Sequence, residues 1–122
     1  MTDTTPKPLP YSPVRKAGDL LFTAGQIGRD AKTLVIEEGI EAQTKKCMEN
    51  IAMHLENNGA SINDVVKFNI YLTDMGDYAK MNDVYATFLS EPYPARTCVA
   101  VKELPRLGDI ELVVEIEAIA TV

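Results

Sequence analysis

Residues 110–121 read Ile-Glu-Leu-Val-Val-Glu-Ile-Glu-Ala-Ile-Ala-Thr. Alternate side chains of an extended chain point to opposite faces. As a strand, this stretch puts Leu112, Val114, Ile116 and Ala118 on one face and Glu111, Val113, Glu115, Glu117 and Ile119 on the other. The first face is apolar throughout and belongs to a core. The second mixes carboxylates with branched apolar side chains. A sheet built around this strand therefore needs helices against one face and a different neighbour against the other.

The rest of the chain supplies those parts. Val66, Phe68, Ile70 and Leu72 alternate with Lys67, Asn69, Tyr71 and Thr73, which predicts a second strand. From about Glu38 to Asn58, Ile40, Thr44, Cys47, Ile51 and Leu55 recur at three- and four-residue steps. Met48 and Ala52 widen that stripe, the pattern of an amphipathic helix, and Gly59 is its stop. His54 falls beside the stripe, at a solvated or rim position. Asp74 and Asp77 are placed to satisfy free amides at the start of a second helix. That helix would carry Tyr78, Met81, Tyr85 and Phe88 on one face and stop before Pro92 and Pro94. Thr97 to Val101 is a short strand, and Leu104 to Asp109 a connection.

Toward the N-terminus, Tyr11 to Arg15 reads as an edge strand and 16–19 as a hairpin turn. Leu20 to Gln26 follows as a strand buried on both faces, with Gly25 allowing a backbone or ligand to come close. Pro6, Pro8 and Pro10 make residues 1–10 a flexible segment ahead of a single domain over 11–122. The order β-β-α-β-α-β-β is an α+β fold, two helices packed on one face of a mixed sheet. Tyr71, Ala100, Val113 and Ile119 would lie on the uncovered face, so the chain is expected to self-associate.

Bulk properties narrow the function. A net charge of -6 with no basic run disfavours nucleic acid as a partner. One histidine and two cysteines without CxxC spacing argue against a metal site. No apolar run reaches membrane-spanning length and no signal peptide is evident, so the expected location is the cytoplasm, without a membrane partner.

Two residues stand out chemically. Arg96, in Pro94-Ala95-Arg96-Thr97-Cys98, places a guanidinium fork at the start of a strand, suited to a substrate carboxylate. Arg96, Cys98 and Ala100 would share a face. An internal ion pair with Glu111, Glu115 or Glu117 accounts for Arg96 equally well. Glu117, among apolar neighbours, is a carboxyl whose burial would tune it as an acid or base; pairing with Arg96 or a lysine is again the alternative. Tyr11, Asn82 and Cys98 are individually unremarkable.

Thr23-Ala24-Gly25-Gln26-Ile27, Pro94-Ala95-Arg96-Thr97-Cys98-Val99 and Val114-Glu115-Ile116-Glu117-Ala118-Ile119-Ala120 resemble, in order and spacing, three signature blocks of the RidA/YjgF family. The resemblance runs from about Tyr11 to the C-terminus. It implies a chorismate-mutase-like fold assembled as a homotrimeric barrel with inter-subunit clefts. It also implies hydrolysis of 2-aminoacrylate and related imines to 2-keto acids and ammonia, without metal or organic cofactor. By the same resemblance Arg96 holds the substrate carboxylate and Glu117 positions or activates water. Tyr11, Ala24, Asn82 and Cys98 line the cleft.

Two departures qualify it. Ala24 stands where active members usually carry a serine, and the connection from Pro105 to Glu115 is several residues longer than usual. Ala24 leaves open a non-catalytic carboxylate-binding protein, and the altered rim a pathway-specific deaminase, for example of aminomuconate-type enamines. Family labels also suggest an endoribonuclease, against which the net charge counts.

Overall fold

The computed structural model describes residues 8–122. Of the expected flexible segment, residues 1–7 lie outside the described residues; Pro8, Leu9 and Pro10 are exposed and in no regular element. The elements are β1 (Val14–Ala17), β2 (Leu20–Thr23), β3 (Gln26–Ile27), α1 (Ile40–Glu56), β4 (Val65–Leu72), α2 (Tyr78–Ala86), β5 (Ala95–Ala100) and β6 (Val114–Thr121). The sheet order is β1-β2-β6-β4-β5, with β3 also beside β6. All pairs are antiparallel except β4 and β5, which run parallel with α2 in the crossover between them. This is the mixed sheet with two helices that strand and helix periodicity predicts.

The core forms where the apolar strand faces meet the helices. Cys47, Met48, Ile51 and Leu55 of α1 are fully buried, together with Phe68, Ile70 and Leu72 of β4 and Val114 and Ile116 of β6. Phe68 meets Tyr85 of α2 edge-on, with ring centroids 5.3 Å apart. Gly59, at φ +85°, takes the left-handed conformation just past the end of α1. Asp74 accepts the Gly76 amide ahead of α2, whereas Asp77 makes no side-chain cap. No helix among the described residues is long and apolar enough to cross a membrane.

Several local expectations are overturned, each for a visible reason. Leu20 to Gln26 is not one strand: it breaks at Ala24-Gly25 into β2 and β3. The Ala24 amide turns to the Pro13 carbonyl (2.9 Å), while the Ala118 amide of β6 donates to the Thr23 hydroxyl (2.9 Å). Nor is it buried on both faces, since Leu21 and Thr23 are buried but Phe22 is 40% exposed. The first strand starts at Val14 rather than Tyr11. Val66 lies outside the core because a register shift between Val65 and Lys67 inserts an extra residue, so Val65 points inward in its place.

Residues 110–113 are not sheet, since β6 begins at Val114. Their backbone is held instead by the fully buried Gln43, whose amide donates to the Glu111 carbonyl (2.8 Å) and accepts from the Val113 amide (2.9 Å). The uncovered sheet face carries Phe22, Tyr71, Val99 and Ile119 among the carboxylates. Ala100 is in register with the buried Leu72 and belongs to the helix side.

Candidate functional site

Arg96 projects from the second residue of β5 toward α2. Its register partner Phe68, and Ala118 across from Phe68 on β6, are both core residues, which fixes the helix side as its face. There Tyr78, Asn82 and Tyr85 form one stripe at four- and three-residue spacing. Arg96 Nη1 donates to Asn82 Oδ1 (2.5 Å) and Nη2 to the Tyr78 hydroxyl (2.6 Å). The guanidinium carbon lies 4.9 Å from the Tyr85 ring centre and 5.4 Å from that of Tyr78. Every one of these partners is neutral. Among the described residues only Lys46 makes ion pairs, with Asp30 and Glu49, so Arg96 keeps an unneutralised charge. It lines a cleft of about 340 Å³ with Asn82, Tyr85, Tyr93 and Pro94.

Cys98 follows on the same face, half-buried. Burial pushes its thiol up, against the opposing pull of Arg96, so it is not an activated thiolate.

Tyr11 and Ala24 lie elsewhere. They line a larger cleft of about 540 Å³ with Gly25, Ile27, Leu107 and Glu115. His54 sits on its wall, a rim position as expected. Leu107 and Pro105 bring the long connection into this wall. Glu115 is in register with Ile27 of β3, and its carboxylate reaches under Gly25: a Cβ there would stand 2.5 Å from Glu115 Oε2. Burial chiefly, and the Glu117 charge second, push the Glu115 carboxyl above its usual range.

Glu117 is engaged on the sheet face itself. Its Oε1 accepts from the Tyr71 hydroxyl (2.6 Å) and the Asn69 amide (3.1 Å). That bond is the main reason the Tyr71 hydroxyl is pushed up to about 12. The structure thus brings together Arg96, Asn82 and Cys98 on the helix side of the sheet, and Tyr11 and Ala24 in a separate cleft that Asn50 and His54 of α1 also line. It does not bring Glu117 to either cleft.

Glu115, which lines the larger cleft, and Tyr78, which supports Arg96, are the site residues that sequence reasoning passed over. Gly25, read as a point of close approach, was the available signal; the partner approaching it is Glu115. Arg96 pairs with none of Glu111, Glu115 or Glu117, since it faces the helices while Glu115 and Glu117 occupy the opposite face. β5 and β6 are also two strands apart, about 10 Å. One chain therefore holds two partial sites: a cationic one with neutral supports, and one where Glu115 shares a largely apolar wall with Arg29.

Comparison with known proteins gives a consistent picture. Residues 2–122 match the family described as endoribonuclease L-PSP. The chain is 50% identical over 121 residues to a RutC family protein of Pyrococcus horikoshii, covering 98% of this chain and 93% of that one. It is 36% identical over 114 residues to a 2-iminobutanoate/2-iminopropanoate deaminase of Salmonella typhimurium, covering 91% and 86%. The crystal structure of RidA from an Antarctic Psychrobacter superposes with a TM-score of 0.87 at 44% identity, covering 100% of this chain and 97% of that one.

Proposed function

This chain belongs to the RidA/YjgF family, also described as endoribonuclease L-PSP, and on that premise we propose that it hydrolyses 2-aminoacrylate and related 2-imino acids to 2-keto acids and ammonia. The observation that carries the proposal is the pairing of an unneutralised Arg96 in one cleft with a carboxyl of raised proton affinity, Glu115, in another. A substrate with a carboxylate at one end and a hydrolysable C=N beside it needs both.

In the proposed mechanism Arg96 binds the substrate carboxylate bidentately. The enamine takes a proton from solvent at its terminal carbon to become the iminium. Glu115, as carboxylate, accepts a proton from water while the oxygen adds to the imine carbon, giving a carbinolamine. Glu115 returns the proton to the nitrogen, the C–N bond breaks as ammonia leaves, and the hydroxyl gives up its proton to solvent as it becomes the keto oxygen. The sum is imino acid plus water giving keto acid plus ammonia. Glu117, bonded to Tyr71 and Asn69, holds the sheet face rather than the substrate.

Since Arg96 and Glu115 project from opposite faces of the sheet, the proposal requires the Arg96 side of one subunit to meet the Glu115 side of another. A homotrimer joined through the uncovered sheet face, with Phe22, Val99 and Ile119 against neighbours, is the proposed assembly. A cytoplasmic setting is part of the proposal and rests on sequence composition.

The test is a coupled assay that generates 2-aminoacrylate or an imino acid in situ and follows keto-acid release. Wild type should accelerate it, and Arg96→Ala and Glu115→Gln should not. Co-folding the two inactive variants should restore a fraction of the activity, because mixed assemblies contain some clefts with both residues intact. Absence of acceleration across several imino acids would overturn the deaminase reading. Carboxylate binding without ammonia release would then make this a binding protein, the reading Ala24 favours.

A further inference from the structure

We infer that Tyr78 is a positioning residue that sets the angle at which Arg96 meets the substrate carboxylate, and that it adds a second hydrogen-bond donor to that carboxylate. The inference rests on the proposed function for the role of Arg96, and on three separate observations for Tyr78.

First, Tyr78 is 40% exposed and outside the buried core, so packing does not account for its place on α2. Second, its oxygen accepts a hydrogen bond from Arg96 Nη2 at 2.6 Å while its ring lies 5.4 Å from the guanidinium carbon, so one side chain restrains both the edge and the plane of the fork. Asn82 on Nη1 and the Tyr85 ring at 4.9 Å complete the restraint. A long side chain with four rotatable bonds is thereby held in one arrangement before substrate arrives. Third, the bond uses the hydroxyl as acceptor. Its own hydrogen has no acceptor among the described residues and is available to an oxygen seated on Arg96.

The supports are also neutral. A carboxylate at position 78 or 82 would hold the arginine as firmly and would cancel the charge the substrate needs. The phenol holds it without doing so.

Tyr78→Phe tests this because it keeps the ring and removes only the hydroxyl. Two readouts are taken on the full chain: steady-state kinetics in the coupled assay, and calorimetric binding of 2-oxobutanoate as a carboxylate probe that needs no turnover. The expected result is a roughly 3- to 10-fold rise in both KM and the Kd of 2-oxobutanoate, the scale of one partly exposed charge-assisted hydrogen bond. Meanwhile kcat should change less than about twofold and the melting temperature should hold. In an Arg96→Lys background the same change should have no further effect, since the two residues act as a unit. An unchanged KM and Kd would overturn the inference, as would a kcat and KM that worsen together with a lowered melting temperature. If wild type binds 2-oxobutanoate in a Tyr78-dependent way yet releases no ammonia, the deaminase proposal falls and the Tyr78 inference stands. If wild type neither binds nor turns over, both fall.

Discussion

The carboxylate of Glu115 occupies the space a side chain at Gly25 would fill, with Oε2 2.5 Å and Cδ 2.7 Å from the position of a Cβ. It ties the break between β2 and β3 to the larger cleft. Gly25→Ala needs no left-handed backbone, so its effect falls on the Glu115 side chain, which must swing away. The expected outcome is a loss of roughly 100-fold in kcat, the lower end of what a positioned acid–base group supplies. The melting temperature should stay within about 3 °C. An active Gly25→Ala enzyme would remove Glu115 from the mechanism.

Glu115 also sets the pH profile. Burial and the Glu117 charge raise its proton affinity above that of an ordinary glutamate, near 4.5. As a base it works ionised, so kcat/KM should fall as pH drops through this raised value, earlier than for an ordinary carboxylate. Glu117→Gln removes one cause of the shift, and the acid limb should move to lower pH with most activity kept. The same shift acts on stability. The folded chain holds this proton more tightly than the unfolded chain, so the contribution is fully present below the unfolded value and is lost as pH rises through the folded one. Rate profiles of both variants check the first point, and melting temperature against pH for wild type and Glu115→Gln the second.

Arg96 has no carboxylate to lose when it is replaced. Arg96→Ala leaves Asn82 and Tyr78, both able to find water, so the fold should lose less than about 1 kcal/mol. Activity should drop by more than about 100-fold in kcat/KM. Arg96→Lys should recover little of it, because an ammonium lacks the planar fork that Asn82, Tyr78 and the substrate share. Denaturant melts beside the coupled assay separate these two effects; a large stability loss would assign Arg96 a structural role.

Gln43 should behave in the opposite way. Fully buried, it donates to the Glu37 and Glu111 carbonyls and accepts from the Val113 amide. Gln43→Leu keeps the volume and leaves those groups without their partner, a cost of about 2–4 kcal/mol. Faster hydrogen exchange should appear at Val113, whose amide it accepts. Gly28→Ala should destabilise too, since its Cβ would stand 2.8 Å from Gln43 Cα, a backbone atom that cannot swing aside.

Local periodicity was legible in the longest elements. The α1 stripe from Ile40 to Leu55, the alternation of Phe68, Ile70 and Leu72, and the two faces of residues 114–119 all stand as the sequence reads, because each depends on neighbours within a turn or a pleat. Gly18 and Gly59 mark the turn and the helix end where their positive φ is needed. Arg96 could be recognised as a candidate, and so could Gly25 as a point of contact.

The partners of these residues could not be read. Whether Glu115 or Glu117 faces the larger cleft depends on β3 pairing Ile27 with Glu115, a contact spanning most of the chain. Val66 and the start of β6 depart from the alternation for the same reason: a bulge answers to the strand across it, and residues 110–113 answer to Gln43 on α1. The amino-acid sequence by itself determined the elements, their apolar faces and the family, since those are written in spacing along the chain. Only the tertiary structure decided that Arg96 and Glu115 stand on opposite sides of one sheet. Face and register come from pairing between distant strands, and a shift of one residue turns a side chain from one face to the other.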